Sequence, residues 1–260
     1  MLPSNGRAAC TGLRAAIDLG ASTGEKMTTP TVDKTAIRNA ATVIVVRNRT
    51  TRPSVLMGQR GASAAFMPNK FVFPGGAVDA DDAKVPLARP LTPLCSARLS
   101  ESAPAGMARA LAAAAVRELW EETGQILGVP APWPGDVPED WLSFAGTGHR
   151  PAADGLQFVF RAITPPGRPR RFDARFFLLD AEGLASDPDD FAAATDELSH
   201  LQWIPLDEVR HFDLPFITEV VMAEIAARVQ DNAPPASVPF FRNNDEESLF
   251  LRLRGTPMKD

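Results

Sequence analysis

A chain of 260 residues, 45% hydrophobic and 23% charged, is long enough to bury a sizeable core and has the make-up of an ordinary soluble globular protein. No apolar run approaches the roughly 18 residues that cross a bilayer, so no membrane partner is expected. The net charge of −5 and pI near 5.3 argue against a nucleic-acid polymer as partner, because such surfaces must neutralise many phosphates.

Two cysteines, Cys10 and Cys95, lie far apart without metal-binding spacing, which excludes a disulfide framework and fits a reducing, cytoplasmic compartment. His149, His200 and His211 are scattered and do not suggest zinc.

Residues 1–34 are expected to form a disordered tail, rich in Ala, Gly, Ser and Thr over 1–26, with Met27 an alternative start and a weak targeting peptide a second option. The folded domain is expected over 35–260. Its first strands are read at 41–47, a β-branched run, and at 54–59 beyond the Arg52-Pro53 turn. A third apolar run, 70–73, stops at Pro74-Gly75-Gly76, a turn that leaves backbone groups unshielded by side chains.

The stretch from about 79 to 104 carries Asp79, Asp81, Asp82, Pro86, Pro90, Pro93 and Pro104 with little periodicity, and reads as a long inserted loop. If it is a lid or subunit contact, in a homodimer for example, its removal should act on substrate access rather than on chemistry. Helix is predicted over 107–123, which is Ala-rich, free of Gly and Pro, and stopped by Gly124. A hairpin is predicted from strands at 158–163 and 172–179, a short strand at 201–204, a turn of helix near Asp207 and an amphipathic helix over 214–229. Together these imply an α/β fold, an αβα sandwich around a mixed sheet.

Chemistry concentrates in Arg117-Glu-Leu-Trp-Glu-Glu-Thr-Gly124. At 100° per residue, Glu118, Glu121 and Glu122 share an arc of about 100° on one helix face. Like charges at these spacings repel, and the macrodipole disfavours anions in a last turn. Arg117 offsets part of this through Glu121. The remaining charge suits a hard divalent cation, although a solvated acidic face is the alternative. The upstream glycine turn can bring bare backbone beside the helix, with room for phosphate oxygens.

This pattern resembles the Nudix hydrolases, whose signature is a glycine loop followed by a helix ending Arg-Glu-x-x-Glu-Glu-x-Gly, matched here by Arg117, Glu118, Glu121, Glu122 and Gly124. The resemblance implies a Nudix-like αβα sandwich in which Glu118, Glu121 and Glu122 bind Mg²⁺ or Mn²⁺, with Gly75 as a further ligand candidate through its carbonyl. It also implies that Arg117 holds the glutamates in place and that the substrate is a small-molecule diphosphate.

Three departures stand out. Gly76 and Arg117 are 41 positions apart, against 14 in the family pattern. The glutamate expected eight before the arginine is Arg109, and Glu101, Asp79 or Asp82 are alternative sources of that acid. An apolar residue usually follows the final glycine, and here it is Gln125.

An interrupted motif, with Phe66-Met-Pro-Asn-Lys-Phe-Val-Phe-Pro-Gly-Gly-Ala-Val-Asp79 before it and Arg171-Phe-Asp-Ala-Arg-Phe-Phe177 after it, resembles the acyl-CoA diphosphatase branch of peroxisomal type. The resemblance leaves open a coenzyme A ester, an ADP-ribose or dinucleotide substrate, and a non-catalytic nucleotide-binding module.

Substrate contacts are expected from Gly75, Gly76 and Arg60, and from Arg171 and Arg175 in the basic stretch that also holds Arg168 and Arg170, since arginine forks fit phosphate oxygens. Glu197 is a further candidate ligand or base. The proton acceptor is one of Glu118, Glu121, Glu122 and Glu197. Trp120, Trp133, Trp141 and Trp203 are read as packing residues.

Overall fold

The computed structural model describes residues 36–64, 66–231, 233–243 and 248–255, so the tail expected at 1–34 lies outside the described residues. In chain order the strands and helices are β1 (Ile37–Arg47), β2 (Ser54–Arg60), β3 (Phe71–Val72), β4 (Gly75–Ala77), α1 (Pro93–Ser100), α2 (Met107–Thr123), β5 (Gly128–Pro130), α3 (Leu142–Gly146) and β6 (His149–Pro151). There follow β7 (Gln157–Ile163), β8 (Arg171–Asp180), β9 (Leu198–Pro205), α4 (Phe216–Ala226), β10 (Val238–Asn243) and β11 (Ser248–Leu253).

Nine strands make one mixed sheet in the order β11-β10-β7-β8-β1-β2-β3, with β4 also on β1 and β9 on β2. β1 runs parallel to β8, and β10 parallel to β7; the other pairs are antiparallel. The central strands read as continuous apolar runs because both sheet faces are covered. Val43 and Val45 of β1, with Phe177 and Leu179 of β8, face a core shared with α1, α2 and α3, whereas Ile44, Val46, Phe176 and Leu178 face α4.

One edge of β1 is forked. Val46 and Arg47 pair with β2, while Ala40, Ala41 and Thr42 pair with β4, and the Val43 amide donates to the Pro74 carbonyl at 2.8 Å. That fork holds the glycine turn against the sheet. On the same face lies α2, whose alanines 112–115 are wholly buried. Small side chains let the helix lie close to the strands, and Gly124 ends it at φ 71°, its amide donating to the Trp120 carbonyl at 2.7 Å.

The segment read as an inserted loop is folded. A 3₁₀ turn occupies Asp82–Lys84, and α1 begins at Pro93 with the Thr92 hydroxyl accepting from the Cys95 amide at 3.3 Å. Val85, Leu91, Cys95 and Leu99 join the α2-side core. The prolines that suggested a loop are therefore boundaries, Pro93 being the first helical residue. This burial ties the segment to the α2-side core.

Because Ala112 has no exposed surface, Ala112→Leu overfills the helix–sheet contact. We expect a loss of about 1–3 kcal/mol in urea unfolding, against no more than about 0.5 kcal/mol for substitutions at exposed positions.

Candidate active site

Gly76 lies against the Glu118 carboxylate of α2. A side-chain carbon there would overlap the Glu118 carboxylate, so glycine leaves that carboxylate its present position. The neighbouring Gly75 amide donates to Glu122 Oε2 at 2.6 Å. The glycine turn and the helix glutamates are thus brought into one place.

Arg117, buried beneath them, uses every donor it has. Its Nε and Nη2 form a fork on Asp82, at 3.1 Å to each carboxylate oxygen. Nη1 reaches Glu118 Oε1 at 2.9 Å and Glu121 Oε2 at 3.1 Å, and Nη2 also donates to the Ala77 carbonyl at 2.9 Å. Asp79 lies 3.3 Å from Nη2. Of the three acids weighed as replacements at the interrupted motif, Asp82 is fully buried against Arg117, and Asp79 is a second, more exposed neighbour. Glu101 is elsewhere, accepting from the Arg254 and Gly255 amides.

The carboxylates are short of positive charge. Burial pushes Glu118 up to about 7, against the pull of Arg117 and with the push of Glu121. Glu121 is raised by burial as well. Glu122 is raised well above the usual range by burial and by Glu118, with only the Gly75 amide and a distant Arg60 opposing. Burial works against a charged Arg117, yet Asp82, Glu118 and Glu121 together hold it firmly protonated.

Arg60, at the end of β2, stands 3.2 Å from Glu197 and 4.0 Å from Glu122. It therefore bridges the half-exposed Glu197 to the buried cluster. Glu197 is delivered by the 185–197 loop, which packs on the end of α2. The Thr195 amide donates to the Glu121 carbonyl at 2.8 Å, and Gln125 Nε2 donates to the Asp187 and Asp190 carbonyls at 3.2 and 2.8 Å. Ser186 Oγ donates to Gln125 Oε1 at 2.7 Å. The polar residue at the motif's apolar position is thus the anchor of the loop that carries Glu197. Its signal was present in the sequence as a departure, but its partners, some 60 residues on, were not legible.

The contacts of Arg171 and Arg175 are with protein groups other than the helix glutamates. Arg171 donates to the Thr164 and Asn243 carbonyls. Arg175 is 1% exposed and is held by Asn39 and by Asp173, which also forks onto Arg161. Burying two guanidiniums requires such a counter-charge. The tryptophans pack as expected, and Trp141 does more, its indole N–H pointing at Asp82 Oδ1 from 3.3 Å.

Oxygen donors, burial and excess negative charge fit a hard divalent cation at Glu118, Glu121 and Glu122. Among the described residues no three carboxylates are already turned into a coordination shell; Glu118 and Glu121 face Arg117, and Glu122 faces the Gly75 amide. Among those residues, too, no helix is long and apolar enough to cross a membrane.

No protein-family model matches the chain. It is similar to nudix hydrolase 7 of Caenorhabditis elegans, at 33% identity over 179 residues, 64% of this chain and 51% of that protein. The chain spans about half the length of this curated relative. A NUDIX hydrolase structure from Alicyclobacillus acidocaldarius matches with a TM-score of 0.56 and 27% identity, covering 76% of this chain and 94% of the other. The fold is the Nudix fold, a mixed sheet between helical layers.

Raised carboxylate pKa values set the sign of the pH dependence. A carboxyl group that holds its proton more tightly when folded stabilises the protein below the unfolded value, near 4.5, and that stability is lost as pH rises through the folded value, about 7 for Glu118. In chelator-treated protein the thermal midpoint should therefore fall between pH 5 and pH 8 by at least about 3 °C. Mg²⁺ or Mn²⁺ should raise it more at pH 8 than at pH 5. A cation-induced shift that is equal at both pH values, or larger at pH 5, would show that the carboxylates are not the binding groups.

Proposed function

We propose that this protein is a metal-dependent Nudix hydrolase that cleaves a diphosphate linkage in a nucleotide-derived small molecule. The observation that carries the reading is the convergence of buried Glu118 and Glu122 and half-buried Glu121 on the Gly75-Gly76 turn, with exposed Glu197 at the rim, where negative charge exceeds positive charge. Mg²⁺ or Mn²⁺ held by the three glutamates, with the Gly75 carbonyl as a further candidate, would neutralise the diphosphate and make water more acidic there. Arg117 orients Glu118 and Glu121 through a single nitrogen. Gly76 keeps the space beside Glu118 clear of side-chain atoms. Arg60 releases Glu197 and turns its fork to a phosphate oxygen when substrate enters. One of Glu118, Glu121, Glu122 and Glu197 accepts the water's proton.

The finer reading is a coenzyme A ester, hydrolysed to 3′,5′-ADP and an acyl phosphopantetheine. Its support is the likeness of residues 66–79 and 171–177 to the acyl-CoA diphosphatases, together with Arg60 upstream of the glycine turn.

Acyl-CoA, ADP-ribose and dinucleoside polyphosphates should be incubated with Mg²⁺ and with Mn²⁺ and the products identified by mass. We expect diphosphate cleavage of at least one class. Glu118→Gln and Glu122→Gln should each lower turnover at least about a hundredfold in folded protein. Binding without turnover across the panel points to a nucleotide-binding module, and near-normal rates in both variants reject the metal site.

A further inference from the structure

We infer that Gln125 is a positioning residue for Glu197: it seats the 185–197 loop on the end of α2 and so holds the Glu197 carboxylate at the rim of the glutamate cluster. This rests on the hydrolase reading above. The position directly after the helix-ending glycine carries an amide side chain with no exposed surface, which must therefore find its hydrogen bonds inside the protein. Its Nε2 donates to the loop twice, to the Asp187 and Asp190 carbonyls, and Oε1 accepts from the Ser186 hydroxyl. That hydroxyl accepts in turn from the Ile126 amide at 3.0 Å, and the Ala185 amide donates to the Ile126 carbonyl at 2.8 Å. An apolar side chain could fill the same space but could not hold the loop's carbonyls.

Glu197 stands just before β9, whose first residue, Leu198, pairs with Arg60. From that side the strand fixes it. From the other side its course is set by Thr195, whose amide meets the Glu121 carbonyl, and by Ala193 and Ala194, which lie so close to Gly124 that a side-chain carbon there would meet them at 3.1 and 3.2 Å. Gly124 and Gln125 are thus two halves of one seat, the glycine making room for residues 193–194 and the glutamine gripping 186–190. The same stretch is gripped from the sheet as well. Trp203 Nε1 donates to the Pro188 carbonyl at 3.0 Å, and Arg47 lies 4.4 Å from the centre of the Trp203 ring while reaching Asp189 at 2.6 Å. At the end of the loop so held, Glu197 meets Arg60 at 3.2 Å, and Arg60 stands 4.0 Å from Glu122. The amide that ties the loop to the helix end therefore also sets Glu197 relative to the helix glutamates.

Gln125→Met keeps the volume and removes every side-chain hydrogen bond to the loop. We expect kcat to fall at least about fivefold with KM changed less than about threefold. A double-mutant cycle separates positioning from mere support of the helix end. Once Glu197→Gln has removed the carboxylate, adding Gln125→Met should change the residual rate, followed at high enzyme concentration, by less than about twofold. Ser186→Ala, at a half-buried position more tolerant of truncation, should lower kcat by a smaller factor, about twofold, and that loss too should vanish without the Glu197 carboxylate. Glu122→Gln is measured alongside. If it retains full activity, the hydrolase site itself is wrong. If it is inactive, the Gln125 inference is overturned by wild-type kcat in folded Gln125→Met or in Glu197→Gln, and equally by a loss from Gln125→Met that is the same with and without Glu197. Should Gln125→Met fail to fold, unaltered kcat in Ser186→Ala overturns it.

Discussion

A guanidinium buried under a sheet is tolerable only when its whole donor set is satisfied, and Arg117 is the point where this requirement organises the molecule. Its partners come from three separate stretches of chain: the Ala77 carbonyl of β4, Asp82 of the intervening segment, and Glu118 and Glu121 of its own helix. Removing a partner from a buried charge of this kind costs about 3–5 kcal/mol, because the charge remains after its counter-ion has gone. The approach of Gly76 to Glu118 follows from the same staple, since Ala77 is the next residue in the strand.

The site so formed works against helix stability. Three glutamates lie in the last turns of α2, where the macrodipole and their mutual repulsion both oppose them. The surrounding structure compensates locally. The Gly75 amide meets Glu122, the Thr195 amide meets the otherwise unpaired Glu121 carbonyl, and Gln125 ties down the loop behind it. These contacts satisfy the backbone of the helix end without neutralising the carboxylates, so the charge imbalance persists and is available for a cation.

Periodicity made most of the fold legible. α2 spans the predicted 107–123, and β1, β2, β7 and β8 differ from expectation by a few terminal residues, because buried strands and an Ala-rich helix leave strong patterns. α1 was missed for the opposite reason, being eight residues long amid prolines that serve as its start and its flanks. β10 and β11 went unread although Leu249, Leu251 and Leu253 alternate as a strand should. The burial of the basic stretch was legible in its alternation. Arg171, Asp173 and Arg175 share the face of β8 that carries Phe177, and that alternation places them in the interior.

Geometry also explains how a motif broken by a long segment can keep its parts together. The break falls between β4 and the start of α2, and Glu118 lies 11 residues beyond Met107, about 16 Å along the helix axis. A segment entering at the far end need not disturb the carboxylates. Yet the segment leaves β4 beside Arg117 and first runs back along α2, as its contacts show: Asp82 meets Arg117 and Val85 meets Arg109. Eight helical residues span about 12 Å, close to the reach of three extended residues, with the arginine side chains taking up the remainder. The path from the glycine turn to the helix start thus follows the length of α2 itself. A carboxylate near the beginning of that path is carried past Arg117 whatever the length of chain that comes after it.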